Sequence, residues 1–363
     1  MFTASDHLYM TRALQLAEQG LYSTSPNPRV GCVIVNQGQI VGEGAHLKAG
    51  QPHAEVHALR QAADKAQGAT AYVTLEPCSH HGRTPPCAEA LVKAGVTKVI
   101  AAMVDPNPLV AGQGLAYLTA HGIEALSGLM TTQVQALNAG FISRMVKQRP
   151  LVRMKIAASL DGKTALENNH SQWITSAPAR MDVQHWRAQS CAILTGVGTV
   201  LADNPQLTVR DLPTERQPLR VVVDSQLRTP LDAKIVQQGA TLISYAHDPE
   251  QKATALLAQG VQLLHAPNPQ GQVCLSTLLS HLAALQMNEV MVEGGQVLNG
   301  ALIASHMVDE LLLYYAPKLM GGQAKNMLWM PSLTHMDQAM TLNVFDLRLI
   351  GADIRLRAHF CPT

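Results

Sequence analysis

A chain of 363 residues with 47% hydrophobic and 15% charged content has enough apolar material for two domains with buried sheets. A net charge of +1 and 4% aromatic content offer neither the basic face that polynucleotides select nor a stacking platform for single strands, so a small substrate is expected. No charged-then-apolar leader pattern opens the chain and no run approaches about 18 uninterrupted apolar residues, so neither secretion nor a membrane span is expected.

Residues 5–19 carry helical periodicity with Ser5 as N-cap. The proline-stiffened loop Ser25-Pro26-Asn27-Pro28 leads into strands 30–35 and 39–46, a hairpin turning near Asn36-Gln37-Gly38. A helix over 53–66 follows, then strand 71–75, which runs out at Glu76-Pro77-Cys78. Pro85 and Pro86 open a helix over 86–94 that stops at Gly95. Strand 98–104 and helices 113–121 and 131–147 complete an α/β layered domain over 1–147, ending at Gln148-Arg149-Pro150.

The second half, 151–363, starts afresh and is α/β again. Strands are predicted at 151–157, 191–195, 219–224, 240–244, 261–264, 289–293, 310–316 and 352–358. Helices are predicted at 178–189, 251–258, 275–285 and 297–305.

The chemistry of the first half gathers at His53-Ala54-Glu55, Pro77-Cys78 and Cys87. One imidazole and two thiols suit zinc, and a catalytic zinc keeps its fourth position for water. Glu55 is then free to move protons, as in zinc nucleobase deaminases. The alternatives are a closed structural site, with His57, His80 or His81 as fourth ligand, and a pair of buried free thiols. His53 and His57 are four apart, but H-E-x-x-H needs the Glu directly after the first His, and Glu55 comes one residue late. His57 therefore reads as a packed histidine. Cys32, Cys191, Cys274 and Cys361 read as ordinary thiols, and reduced thiols as metal ligands point to the cytoplasm.

In the second half, Gly196-Val197-Gly198 and Glu293-Gly294-Gly295 each follow a predicted strand. Such turns expose backbone N–H groups to a phosphate, and two of them point to a dinucleotide across strand ends. Neither is a full G-x-G-x-x-G, so the usual Rossmann fingerprint is missing. Residues 201–210 read as a polar loop holding Asp203 and Arg210.

These segments together resemble the bifunctional riboflavin-biosynthesis deaminase/reductase family. The resemblance rests on Pro26-Asn27-Pro28-Arg29-Val30-Gly31, on the long insert Ser79 to Pro86 ending Thr84-Pro85-Pro86-Cys87, on Lys155 to Lys163, on Ser171-Gln172-Trp173-Ile174-Thr175, and on Gly196 to Arg210. It implies a cytidine-deaminase-like three-layer α/β/α domain followed by a dihydrofolate-reductase-like α/β domain. It also implies one Zn²⁺ on His53, Cys78 and Cys87 with Glu55 catalytic, and NADPH in the second domain. The implied reaction is hydrolytic deamination of 2,5-diamino-6-ribosylamino-4(3H)-pyrimidinone 5′-phosphate, then reduction of the ribosyl chain to ribityl.

By the same resemblance the cofactor contacts Ala157, Trp173, Thr199, Asp203, Ser225 and the turn Gly294, Gly295, Gln296, Val297, Leu298, Asn299, Gly300 and Ala301. The substrate contacts Ser171, Arg187, Leu207, Arg210 and Glu293, with Arg187 and Arg210 on the 5′-phosphate. Asn27 and His46 are candidates for the pyrimidine, and His80 and Arg83 for the ribose phosphate. Lys155 and Asp203 are candidate proton donors for the reduction. A homo-oligomer, dimer or larger, is implied, with no nucleic acid and no membrane partner. Two rivals differ in class: a polynucleotide (tRNA-type) zinc deaminase with an RNA-binding second domain, and a non-catalytic zinc-stabilised module.

Overall fold

The computed structural model describes residues 1–79, 86–108 and 110–361. The chain divides into two compact units, Met1–Arg149 and Pro150–Thr363.

The first unit runs α1 (Ala4–Glu18), β1 (Gly31–Asn36), β2 (Gln39–Ala45), α2 (Ala54–Ala62), β3 (Thr70–Val73), α3 (Cys87–Lys93), β4 (Lys98–Ala101), α4 (Gln113–Ala120), β5 (Glu124–Ser127), α5 (Thr131–Leu137) and α6 (Ala139–Lys147). The sheet order is β2-β1-β3-β4-β5, antiparallel through β2-β1-β3 and parallel through β3-β4-β5.

The layering follows from the register of the hairpin. Gly31 pairs with Ala45, and Cys32 with Gly44. Successive residues of a strand point to opposite faces, so Gly31 and Gly44 mark the two sides of the sheet. A Cβ on Gly31 would lie 1.9 Å from the Ala13 carbonyl of α1, and one on Gly44 would lie 2.1 Å from the Ala54 carbonyl of α2. The helices α1 and α2 therefore cover opposite faces at backbone contact, which gives α/β/α.

Three departures from the sequence reading have local causes. Helix α1 is capped by Thr3 and not by Ser5. The Thr3 hydroxyl accepts from Asp6 N, and the Asp6 carboxylate accepts from Thr3 N at 2.7 Å. The single helix expected over 131–147 breaks at Asn138, whose amide accepts from Arg29 N at 2.8 Å and donates to Arg29 O at 3.0 Å. That side chain satisfies both backbone groups of the residue entering β1, and leaving them unpaired would cost roughly 1–3 kcal/mol each. The edge strand β5 was not expected, because its residues are only half-buried and carry no apolar run.

The second unit runs β6 (Leu151–Ser159), β7 (Lys163–Ala165), α7 (Ala177–Gln189), β8 (Ala192–Gly196), α8 (Val197–Asp203), β9 (Leu219–Val223), α9 (Lys234–Gln237), β10 (Thr241–Tyr245), α10 (Ala253–Ala258) and β11 (Gln262–His265). It continues through α11 (Leu275–Ala284), β12 (Glu289–Val292), α12 (Gln296–Ala304), β13 (Glu310–Ala316), β14 (Lys325–Asn326), β15 (Leu342–Ile350) and β16 (Asp353–Phe360). Nine strands form one sheet in the order β11-β10-β9-β8-β12-β6-β13-β16-β15.

The seven strands from β11 to β13 are mutually parallel, and β16 and β15 add antiparallel. The inner parallel strands are apolar on both faces, as in Val152, Met154, Val221, Val222, Val290 and Val292. Strand β15 was not anticipated, although its alternation of Leu347, Arg348 and Leu349 is a strand pattern. The segment 201–210 is only partly a loop, since α8 extends through Asp203.

Candidate metal centre and nucleotide cleft

In the first unit two helix starts and one strand exit converge. His53 is the N-cap residue of α2 in extended conformation, and its imidazole makes no capping bond. Glu55 lies in the first turn of the same helix. Past β3 the chain continues to Cys78, and Cys87 is the first residue of α3. The donor atoms of His53, Cys78 and Cys87 all lie within 4.8 Å of one another, and among the described residues this is the one such cluster. His53 Nδ1 is 3.2 Å from Cys87 Sγ and 3.6 Å from Cys78 Sγ.

The protonation pattern fits a cation there. The hydrogen bond from Cys87, assisted by His53 and opposed by burial, brings Cys78 down to about 4. The same bond pushes the Cys87 thiol up. Without a cation only one sulfur of the pair is a thiolate, and a divalent ion would make both thiolates at once. One nitrogen and two sulfurs at this spacing suit zinc with a position left over. His57 does not join the cluster, and His80, His81 and Arg83 lie outside the described residues.

Glu55 is 3% exposed, and its Oε2 has no hydrogen-bond partner. Burial, reinforced by the Cys78 charge, raises its carboxyl to about 7. Asn27 and His46 both come to this centre. Asn27 Nδ2 is 3.0 Å from His46 Nε2, and the His46 ring meets the His53 ring edge-on at 5.3 Å. Burial lowers the His46 pKa, so the ring is neutral at pH 7 and can serve as either donor or acceptor.

In the second unit a cleft of about 1680 Å³ opens at the carboxyl ends of the parallel strands. Gly196 is the N-cap of α8 and Gly295 the N-cap of α12, so both glycine turns present helix starts to the cleft. Its wall includes Ala157, Ser171, Trp173, Thr199, Asp203 and Leu207. Arg210, Ser225, Glu293, Gly294 and Gly295 also face it, as do Gln296, Val297, Leu298 and Ala301. Asn299 and Gly300 do not line it. Asn299 donates to Gly294 O and Met327 O at 3.2 Å each, and a Cβ on Gly300 would lie 1.8 Å from the Trp329 carbonyl. These two residues hold the turn from behind.

The charged centre of the cleft is Glu293. Arg187 grips it with both arms, at 2.7 and 3.0 Å, and donates a third bond to Thr208 O at 2.9 Å. With its fork engaged this way, Arg187 orients Glu293, and Arg210 is the more exposed guanidinium on the wall. Lys155 Nζ lies 3.7 Å from Glu293. Burial lowers the Lys155 pKa, against the pull of Glu293. Burial alone would raise the Glu293 pKa, but Arg187 and Lys155 bring it to about 2. Trp173 presents a 62% exposed ring with the Arg180 guanidinium 4.3 Å over it.

Beyond Ser225 the wall carries Arg228 and Lys234, which sequence reasoning missed. Neither side chain has a carboxylate partner among the described residues. A signal existed: Asp224-Ser225-Gln226-Leu227-Arg228-Thr229-Pro230 is a turn-forming stretch at a strand end.

Comparison with known proteins gives one consistent picture. The family profile described as "RibD C-terminal domain" matches residues 150–354, and "Cytidine and deoxycytidylate deaminase zinc-binding region" matches residues 3–103. The chain is 49% identical to the Escherichia coli riboflavin biosynthesis protein RibD, covering 97% of this chain and 98% of that one. It is 46% identical to the Haemophilus influenzae protein of that name, over 98% of this chain and 97% of that one. The solved structure of Acinetobacter baumannii RibD superposes with a TM-score of 0.92 at 46% identity, covering 99% of each chain. The Thermotoga maritima deaminase/reductase superposes with a TM-score of 0.88 at 31% identity, covering 98% of this chain and 99% of that one.

Proposed function

The chain belongs to the RibD family of riboflavin biosynthesis, whose members join a deaminase to a reductase, and we infer from that premise which residues carry each step. It is a zinc hydrolase and an NADP-dependent oxidoreductase in one polypeptide. It deaminates 2,5-diamino-6-ribosylamino-4(3H)-pyrimidinone 5′-phosphate and then reduces the ribosyl side chain. The polynucleotide deaminase reading is not favoured. We take residues 1–147 as the deaminase domain and 151–363 as the reductase domain.

The observation that carries the first step is a buried carboxylate with a free oxygen beside the His53-Cys78-Cys87 cluster. Zinc held by these three residues would supply a Lewis acid and a nucleophilic water at neutral pH. Glu55 Oε2 takes the proton of the attacking water, passes it to the ring nitrogen, and serves the departing ammonia in the same way. Asn27 and His46 read the pyrimidine edge, a role supported by their mutual contact beside His53. His80 and Arg83, on the insert, remain our choices for the ribose phosphate.

For the second step NADPH supplies the hydride, and the chain positions it. The helix starts at Gly196 and Gly295 would hold the pyrophosphate, and Ala157, Trp173, Thr199, Asp203 and Ser225 would line the rest of the dinucleotide. Lys155, largely buried beside Glu293 on the cleft wall, is our choice of proton donor to the opening ribosylamine, with Asp203 on the same wall as the alternative. Arg210 takes the 5′-phosphate, together with Ser171 and Leu207 on the substrate side.

Strands lie about 4.8 Å apart, so the path from β6 to β9 across β12 and β8 spans roughly 14 Å. Lys155 and Ser225 would then stand at opposite ends of the dinucleotide site. We assign recognition of the 2′-phosphate to Arg228 and Lys234 at the Ser225 end.

We place the enzyme in the cytoplasm as a homo-oligomer, dimer or larger, without nucleic-acid partners. No helix among the described residues is long and apolar enough to cross a membrane. A self-association surface is supported by the outer strand β15, which leaves Leu347 and Leu349 64% and 71% exposed. The test of the whole reading is a split assay on zinc-quantified protein. Ammonia release from the diaminopyrimidine ribotide without cofactor, followed by NADPH oxidation on its addition, is expected. NADPH oxidation with no prior ammonia release would overturn the assigned order.

A further inference from the structure

The residue two before Cys78 is organised in a way that the reaction does not explain. Glu76 is 5% exposed, yet it forms no ion pair with a Lys or Arg among the described residues. Its carboxylate accepts four backbone N–H groups from one distant segment. Oε2 takes Asp105 N at 3.0 Å and Gly112 N at 2.9 Å, and Oε1 takes Gly114 N at 2.8 Å and Leu115 N at 3.1 Å. All four donors lie between the end of β4 and the first turn of α4. Glu76 N in turn donates to Met103 O at 3.0 Å, extending the β3–β4 ladder past the named strands.

The same segment touches the ligand loop directly. A Cβ on Gly114 would lie 1.9 Å from the Pro77 carbonyl oxygen, so α4 rests on the Pro77–Cys78 peptide with no side chain between. On its other side Cys78 is held by α3, where Ala88 N donates to Cys78 O at 3.1 Å and Cys87 N to Cys78 Sγ at 3.4 Å. Cys78 is thus fixed from both flanks. Glu76 and Gly114 tie the upstream flank to the segment between β4 and α4.

We propose that Glu76 is a positioning residue for the metal centre, a carboxylate brace that fixes the Pro77–Cys78 backbone so that the Cys78 sulfur meets His53 and Cys87 at ligand distance. A carboxylate suits the role because it alone offers acceptor capacity for four N–H donors without presenting a donor of its own. Groups that orient metal ligands without touching the metal typically govern affinity by 10–100-fold. The proposal rests on the reading of Cys78 as a zinc ligand.

The experiment is a zinc competition against a chromophoric chelator on the full-length chain, with far-ultraviolet circular dichroism of the same sample as the control for fold and reductase turnover as the control for the second unit. Variants are Glu76→Gln, Gly114→Ala, Cys78→Ala and Asn138→Ala. Glu76→Gln keeps the shape but turns an NH₂ towards two N–H donors. Gly114→Ala pushes the same peptide from the other partner, and it carries the test if Glu76→Gln does not fold.

Glu76→Gln and Gly114→Ala are expected to weaken zinc about 10-fold or more. Deamination should be recovered by excess zinc and reduction should be unchanged. Asn138→Ala, which loosens the same unit at Arg29, is expected to lower its unfolding temperature yet hold zinc like the unmodified chain. Zinc affinity within 2-fold of the unmodified chain in both brace variants would overturn the proposal. So would an equal zinc loss in Asn138→Ala, which would make the effect one of general stability. If Cys78→Ala retains zinc fully, the ligand reading has failed. If Cys78→Ala loses it while the brace variants do not, the positioning role alone has failed.

Discussion

Replacing Glu293 by Gln removes one charge and almost no volume from the reductase cleft. In the native arrangement Arg187 and Lys155 together overcome the burial of Glu293 and hold its carboxyl at about 2, against an ordinary value of 4.5. That difference corresponds to about 3 kcal/mol of folding stability, in line with the roughly 3–5 kcal/mol lost when one member of a buried pair is removed. The carboxyl binds its proton more tightly in the unfolded chain than in the folded one. Its contribution is therefore complete above about pH 4.5 and disappears as pH falls through about 2.

Trp173, Trp186 and Trp329 are the only tryptophans and all lie in the second unit, so their fluorescence in a urea titration reports that unit alone. At pH 7 the Glu293→Gln midpoint is expected about 1–1.5 M urea below that of the unmodified chain. At pH 3.5 the gap should be narrower by about 1 kcal/mol. Midpoints that agree at pH 7, or a gap of the same size at both pH values, would refute the idea that Glu293 is held ionised by its two cations.

Three further outcomes follow from the same geometry. Glu55→Gln should retain zinc and still oxidise NADPH on the already deaminated substrate while ammonia release falls by roughly 10²–10⁴-fold, and an unchanged deamination rate would remove Glu55 from the proton path. Stripping the metal with a strong chelator should abolish ammonia release but leave reduction of the already deaminated substrate intact, as followed by NADPH absorbance. Arg228→Ala should weaken NADPH binding by about 10–100-fold in calorimetry while NADH binding barely changes. Equal losses for both cofactors would mean that Arg228 meets a part they share.

The metal cluster was legible in the sequence because its ligands carry their own chemistry. A His-x-Glu, a Pro-Cys and a second Cys can be found without knowing the fold, and helix starts at Ala54 and Cys87 then bring them together. The residues that hold those ligands were not legible. Glu76 looks like any acid at a strand end until the segment from Asp105 to Leu115 is folded over it. Asn138 looks like a helical residue until Arg29 is placed against it. Both act on backbone groups more than 28 positions away, and no local pattern encodes such a partner. The same holds for Arg187, where a guanidinium on a helix gave no sign that Glu293, 106 positions on, would take both its arms.

The two sites answer one electrostatic demand in opposite ways. Each buries a carboxylate, which is costly unless a positive charge or hydrogen bonds compensate. In the reductase cleft the chain supplies the cations itself, and Glu293 is driven far below the ordinary carboxyl range. In the metal centre Glu55 has no ion pair with Lys or Arg among the described residues, and burial drives it up to about 7 beside two thiols that cannot both ionise. A divalent ion held by His53, Cys78 and Cys87 would supply positive charge there. Binding the ion consequently stabilises the folded first unit as well as equipping it for chemistry, because ligand deprotonation and metal affinity are linked to folding. The reductase unit has no such debt to a metal, so its fold should be indifferent to a chelator that loosens the other.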